Sequence, residues 1–94
     1  MYVLEIEHAV RDYDAWKTAF DGDIVARRQS GVRRYRIFRP VKSSNTIITH
    51  LEFESTAAAE IALASLQKLW GKLQGAVIDA PRVRIVEVLE SKEA

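Results

Sequence analysis

Several features that would place a chain in a common class of protein are missing from this sequence. It has no cysteine, which excludes disulfide bonds, thiolate nucleophiles and cysteine-ligated metals. It has no apolar run near the ~20 residues that a membrane-spanning helix needs, and its first residues lack the basic start and the apolar run of a signal peptide. We therefore expect a cytoplasmic protein with no membrane partner.

The chain also lacks an excess of charge of one sign. Its 94 residues include 14 basic and 13 acidic side chains, and the net charge is +1. Such a balance provides no broad attraction for nucleic acid or for an anionic membrane. A chain of this length predicts a single domain, residues 1–94, which buries only roughly 60–65% of its unfolded surface. Oligomerisation would therefore help to stabilise it.

Apolar periodicity divides the chain into four strands and two helices. Asp12 is the expected N-cap of the first helix, which we expect to break near Gly22 and to stop at Gly31. Ser55 or Thr56 should cap the second helix. The strands are predicted at residues 2–8, 32–39, 46–54 and 83–89, the last of them introduced by Pro81. The second helix is predicted at residues 57–74, with a buried stripe of Ala58, Ala62, Leu66, Leu69 and Leu73.

The order strand-helix-strand-strand-helix-strand predicts an α+β domain of the ferredoxin-like kind, an antiparallel sheet with both helices on one face. Alternation along the strands then assigns each side chain to one face. The predicted helix-covered face holds Tyr2, Leu4, Ile6, Tyr35, Ile37, Ile47, Thr49, Leu51 and Phe53. The predicted open face holds Val3, Glu5, Glu7, Arg34, Arg36, Phe38, Ile48, His50 and Glu52.

A hairpin around Pro40 would place Arg36 near His50 and Arg34 near Glu52. The open face mixes acids, bases and apolar side chains. It could remain in contact with water, but Val3, Phe38 and Ile48 favour packing against a partner sheet. We therefore predict a homodimer.

Five stretches of the chain carry a resemblance to a known group of proteins. They are VRDYDAWKTAFD, SGVRRYRIFRP, LEFESTAAAE, a second helix bearing LW, and APRVRIVEV. Together they resemble the small cyclase-like members of the dimeric α+β barrel superfamily. That superfamily includes antibiotic-biosynthesis monooxygenases, small cyclases, isomerases and haem-handling proteins. The resemblance covers nearly the whole chain and implies two ferredoxin-like protomers packed sheet against sheet, with a ligand cavity between the open face and the helices or the partner.

The sequence departs from the family where cofactors and known sites are concerned. The haem-degrading members need an axial histidine on the second helix, and none occurs between Ala57 and Gln74. The cofactorless monooxygenases use a tryptophan, an asparagine-like group and a tyrosine, but Asn45, the only asparagine, falls in a predicted turn. No family site is therefore carried over residue by residue, and we expect no cofactor.

His50 is the strongest chemical candidate. It lies in the middle of a strand, and an ordinary histidine pKa near 6.5 suits proton transfer near neutral pH. As a catalytic set, His50 would be the general acid or base, Arg36 the ligand or oxyanion anchor, and Glu52 would orient one of them. The alternative is a structural histidine satisfied by Glu52, Arg36 or the partner chain.

His8, at the end of the first strand, is expected to be a surface residue or a tie to the following turn. The spacing of the two histidines and the acids matches no metal motif, so we expect no metal.

Six further residues are candidates for contact with a substrate, namely Arg34, Phe38, Glu5, Glu7, Tyr13 and Trp70. Each has a structural alternative. The acids and arginines can form a compensated sheet face, and Trp70 can simply pack at the end of its helix. Trp16 and Phe20 are expected to be the buried stripe of the first helix. The run RRYRIFR invites a comparison with RNA-binding sheets, but their aromatic motifs are missing, so no nucleic-acid partner is expected.

Two functions remain open. The first is a small-molecule-binding domain of the monooxygenase- and cyclase-like group which, if an enzyme, acts without a cofactor on an aromatic or polyketide-like substrate. The second is a non-catalytic dimeric module whose charges are interface salt bridges. A cavity of roughly 300 Å³ or more, lined by convergent polar groups, would favour the first function.

Overall fold

Four strands form an antiparallel sheet, in which the strands follow one another in the order Arg34–Phe38, Thr46–Phe53, Tyr2–Val10 and Ile78–Glu87. The computed structural model describes residues 1–22, 24–73 and 78–94, with the backbone alone for residues 24–26, 72–73 and 78–80. The elements are β1 (Tyr2–Val10), α1 (Tyr13–Gly22), α2 (Ile24–Gln29), β2 (Arg34–Phe38), β3 (Thr46–Phe53), α3 (Thr56–Leu73) and β4 (Ile78–Glu87). The predicted ferredoxin-like α+β fold is confirmed.

Side-chain caps begin both long helices, as the sequence predicts. Asp12 Oδ1 accepts hydrogen bonds from the backbone N–H groups of Asp14, at 2.9 Å, and Ala15, at 3.3 Å. Ser55 Oγ accepts one from the N–H of Ala58 at 3.1 Å. These oxygens satisfy N–H groups that a helix leaves without partners in its first turn.

The break predicted near Gly22 falls at residue 23, which lies outside the described residues. The helix α1 ends at Gly22 and α2 begins at Ile24. After α2 the chain turns at Gly31, whose φ of 92° is a left-handed conformation that glycine adopts at no steric cost. Within the described residues, no helix has the length and apolar character needed to cross a membrane.

The core lies between the sheet and the helices. One cluster joins Leu4, Ile6, Leu51 and Phe53 of the sheet to Ala59 and Ala62 of α3. A second joins Val10, Trp16 and Ile47, and Phe20 and Trp70 pack against both clusters. The predicted burial of Leu69 is wrong, since 43% of its surface is exposed. The buried stripe of α3 is centred on Ala59, Leu66 and Trp70 and leaves Leu69 at its edge.

The last strand differs most from its prediction. It begins at Ile78 and ends at Glu87 rather than covering residues 83–89, so Pro81 lies inside it. Two features make the proline tolerable. The strand β4 lies at the edge of the sheet, and its register with β1 shifts between Glu7 and Ala9, opposite the proline. Proline is accommodated at edge strands and bulges because no ladder hydrogen bond is then lost.

Candidate functional site

The open face of the sheet carries three cross-strand rows of four residues. The rows are Arg34, Glu52, Val3 and Val86; then Arg36, His50, Glu5 and Arg84; then Phe38, Ile48, Glu7 and Arg82. The two cross-strand pairs predicted from sequence, Arg36 with His50 and Arg34 with Glu52, are confirmed. This face therefore brings together all the predicted site residues except Tyr13 and Trp70.

Glu5 is the centre of the middle row. Its Oε2 lies 2.8 Å from His50 Nε2, and its Oε1 accepts a hydrogen bond from Arg84 Nε at 2.7 Å. The hydrogen bond from Arg84 is the main reason why the pKa of Glu5 lies below its ordinary value, with a further lowering from His50 and an opposing effect of partial burial. An ionised Glu5 accepts the Nε2 proton of His50, which leaves Nδ1 of a neutral ring as the proton acceptor. The pair is thus an oriented carboxylate–imidazole dyad.

Glu52, predicted to orient His50 or Arg36, pairs with Arg34. Glu52 Oε2 accepts a hydrogen bond from Arg34 Nε at 2.5 Å, because the two residues lie directly opposite each other. Glu5, the residue opposite His50 on the other side, takes the place next to the imidazole.

Arg36 and Phe38 flank the dyad. In the part of the chain that the structure describes, Arg36 makes no ion pair, although it lies opposite His50. The Phe38 ring meets the His50 ring edge-on, with centroids 4.8 Å apart, and 38% of Phe38 is exposed. Glu7 is exposed and lies opposite Arg82. The open face therefore combines paired charges with exposed apolar surface.

The helix-covered side holds a continuous run of aromatic rings. The centroids of Tyr13 and Trp16 are 5.9 Å apart, those of Trp16 and Phe20 are 5.1 Å apart, and those of Phe20 and Tyr35 are 5.1 Å apart. Trp16 is only 7% exposed, so the expectation that it belongs to the core is confirmed. The run extends from the start of α1 to β2.

His8 lies against this run, and the expectation that it is a surface residue is wrong. It is 4% exposed, and its ring centroid is 5.5 Å from that of Trp16. The strand β1 continues to Val10, so the alternation that buries Leu4 and Ile6 also turns His8 towards the helices. Burial lowers the pKa of His8, and a 3.2 Å contact of Nδ1 with the carbonyl oxygen of Ala9 opposes this only in part. The ring is therefore neutral at pH 7. Strand alternation could have placed His8 on the helix-covered face if it had been extended from Ile6 to His8.

Tyr13 and Trp70 also lie on the helix side. Tyr13 is half-buried, with the Arg39 guanidinium carbon 4.9 Å from its ring centroid, and Trp70 is half-buried against both core clusters. The sheet separates these two residues from His50 and Glu52. The residues predicted from sequence therefore belong to two regions and do not form one site.

Two buried polar residues on the helix side were not singled out by sequence. Arg27 is 9% exposed and Thr49 is 2% exposed. Thr49 could be placed by strand alternation, but nothing in the adjacent pair Arg27 and Arg28 indicates which one is buried. The packing of α2 decides it, because Arg27 lies over the Phe20 ring whereas Arg28 is exposed.

The side chains that could bind a haem or a metal ion are few in this chain. The helix α3 has no histidine, cysteine, tyrosine or methionine, so it does not supply an axial haem ligand. Among the described residues, no cluster of three or more histidine or acidic side chains could hold a metal ion.

Comparison with known proteins gives likeness in fold. No family model matches the chain, and no curated protein matches it. Among solved structures, a variant of MhuD with two manganese protoporphyrin IX molecules bound per active site matches with a TM-score of 0.76 and 17% identity, covering 100% of both chains. A variant of SnoaB, a cofactor-independent oxygenase from Streptomyces nogalater, matches with a TM-score of 0.75 and 13% identity, covering 96% of this chain and 94% of that one.

A third match names the architecture. A dimeric ferredoxin-like protein from an uncultured marine organism has a TM-score of 0.68 and 12% identity, covering 97% of both chains. Identities this low establish a common fold and nothing finer. The chain thus has the fold of the dimeric ferredoxin-like proteins, which it shares with antibiotic biosynthesis monooxygenases, as the resemblance in its sequence predicted.

Proposed function

We propose that this chain is a small-molecule-binding protein of the monooxygenase- and cyclase-like barrel group, that it is cytoplasmic, and that its single domain acts as a homodimer. Its ligand is an aromatic or polyketide-like molecule bound between the helices and the sheet. Any reaction there needs no cofactor. The likeness in fold to a cofactor-independent oxygenase supports the group.

The proposed position of the ligand rests on one observation, the run of aromatic rings with His8 beside it. Small-molecule sites are built mainly from apolar and aromatic side chains with a few polar groups that fix orientation. The rings of Trp16, Phe20 and Tyr35 provide such a wall. His8 is a neutral imidazole at pH 7, and a neutral imidazole accepts a proton from an acidic C–H or phenolic O–H group.

The dyad of His50 and Glu5 is a second candidate for the proton-transfer site. The 2.8 Å contact orients the His50 ring and gives it a defined proton acceptor. Arg36, opposite His50, would then anchor the ligand. A ligand at this site would lie on the open face and would contact Phe38.

The open face also supports the homodimer. Its acids Glu5 and Glu52 are paired within the chain, which reduces the cost of covering them. Phe38 offers exposed apolar surface beside them. Sedimentation at micromolar concentration should give a species of twice 10.7 kDa, and a species of 10.7 kDa alone would refute the dimer.

Binding can be tested with 2-naphthol, an uncharged two-ring probe, by NMR titration. The chain has two tryptophans, and both lie on the helix side, so their indole N–H signals report on this region. We expect both signals to shift with saturating probe. Phe20→Leu should weaken binding by about three- to tenfold, because one aromatic contact is lost.

Phe38→Leu is the matched control variant, since it makes the same substitution on the open face of the sheet. We expect it to leave the affinity for 2-naphthol unchanged. The reverse result, with Phe38→Leu weakening binding and Phe20→Leu harmless, would favour the open-face site. Failure of the probe to bind in either place would favour the non-catalytic dimeric module.

A further inference from the structure

Arg27 places a positive charge inside the layer between the helices and the sheet. The residue is 9% exposed, and its guanidinium carbon lies 3.8 Å from the centroid of the Phe20 ring and 5.2 Å from that of the Tyr35 ring. The two rings themselves meet edge-on. An arginine does not lose its proton in proteins, so the buried group remains a cation.

The hydrogen bonds of this guanidinium are incomplete in a specific way. Nη1 donates to the carbonyl oxygen of Phe20. Nε and Nη2 are buried and meet no acceptor, and no carboxylate of the described residues forms an ion pair with Arg27. Burying a charge without a partner is strongly unfavourable. An unsatisfied cation in a native core therefore calls for a partner that the described residues do not supply.

The unsatisfied atoms identify the shape of that partner. The N–H groups of Nε and Nη2 lie along one edge of the guanidinium plane and point in parallel. This edge binds the two oxygens of a carboxylate in a bidentate manner. Nη1, on the other edge, is already occupied by the protein backbone and holds the group in place.

Thr49 provides a second unsatisfied polar group on the same face of the sheet. It is 2% exposed, and its hydroxyl meets no hydrogen-bond partner. The register pairs Tyr35 with Leu51 and Ile37 with Thr49, so Thr49 is the diagonal neighbour of Tyr35, at about 7–8 Å in a typical sheet. A hydroxyl at this place can donate to a ligand oxygen near the guanidinium.

We propose that the ligand of this site is an aromatic carboxylate, whose ring lies along the aromatic run and whose two oxygens bind Nε and Nη2 of Arg27. This inference rests on the proposed function, because it specifies the ligand of the same site. It adds that the ligand must carry a negative charge, which the aromatic rings alone do not require.

The experiment compares 2-naphthoate with 2-naphthamide, which has the same shape without the charge, by calorimetric titration of the whole chain at pH 7. We expect the carboxylate to bind at least about tenfold more tightly. Arg27→Met keeps the length of the side chain, and it should remove this preference while the affinity for the amide changes by no more than about threefold. Arg27→Lys keeps the charge but loses the bidentate edge, and should give an intermediate preference.

Arg28→Met is the matched control, because Arg28 is the exposed neighbour on the same helix. It should retain the full preference. If Arg27→Met does not fold, Thr49→Val provides the second variant and should weaken binding of the carboxylate by about three- to tenfold.

The outcomes separate the two proposals. Equal affinity of the native chain for carboxylate and amide would overturn the role of Arg27 and leave the aromatic site in place. An unchanged preference in Arg27→Met would do the same. Failure of both probes to bind would count against the proposed function itself, and the inference would fall with it.

Discussion

Burial of His8 should make the stability of the fold depend on pH. In the unfolded chain a histidine takes up a proton near pH 6.5, whereas in the folded chain burial lowers the pKa of His8. At pH values between these two pKa values, His8 is protonated in the unfolded chain but not in the folded chain. The free energy of unfolding is therefore unaffected by the protonation of His8 above about pH 6.5. It decreases as the pH falls towards the lowered pKa of His8 in the folded chain.

The size of the effect follows from the linkage relation. Protonation stabilises the unfolded chain by RT ln(1 + 10^(6.5 − pH)), which is about 0.2 kcal/mol at pH 7 and about 1.4 kcal/mol at pH 5.5. The loss between these two pH values is therefore at most about 1.2 kcal/mol. Glu5 acts separately, because its lowered pKa changes stability only below its ordinary value of 4.5.

The test is urea unfolding of the native chain and of His8→Leu at fixed protomer concentration, from pH 7 to pH 5.5. Leucine is of similar size and does not titrate, so the variant should lie within about 1 kcal/mol of the native chain at pH 7. As the pH falls, the native chain should lose stability relative to the variant by up to about 1.2 kcal/mol. Parallel curves would show that His8 takes up its proton over the same pH range in the folded and unfolded chains, and the argument from its burial would be refuted.

Two further substitutions probe the same layer. Trp16→Ala should destabilise the fold by about 3–5 kcal/mol, because it deletes a large buried ring, and an unchanged melting temperature would place Trp16 outside the core. Thr49→Val should stabilise the chain by about 1 kcal/mol in denaturant titration, since it replaces an unsatisfied buried hydroxyl with a methyl group; a loss of stability would mean that the hydroxyl has a partner.

Local rules predicted much of the fold. Alternation placed β1 and β3, and cap chemistry placed the starts of α1 and α3 at Asp12 and Ser55. A hairpin around Pro40 was expected to place Arg36 near His50, and the two residues lie directly opposite each other. The strand β4 was misplaced because its proline is tolerated only by virtue of an edge position and a bulge, and both depend on the neighbouring strand.

The candidate sites were less predictable, because they depend on contacts between distant elements. Sequence assigned Glu52 the role of orienting His50 or Arg36, and only the pairing of β1 with β3 shows that Glu5 lies opposite His50. Sequence could not distinguish Arg27 from Arg28 either. That choice depends on which side of α2 packs against Phe20 and Tyr35, which no local propensity specifies.

The two faces of the sheet differ in what their polar groups contribute to stability. On the open face, Glu5 is bonded on both sides and Glu52 is bonded to Arg34. On the helix-covered side, Arg27 and Thr49 are buried with unsatisfied groups, and His8 is buried with a lowered pKa. Each of these three residues makes folding less favourable than an apolar residue of similar size would. Groups that reduce stability in this way are concentrated at functional sites, where a ligand supplies the missing partner. The helix side is therefore where the ligand is expected, and the open face is where a second copy of the chain is expected.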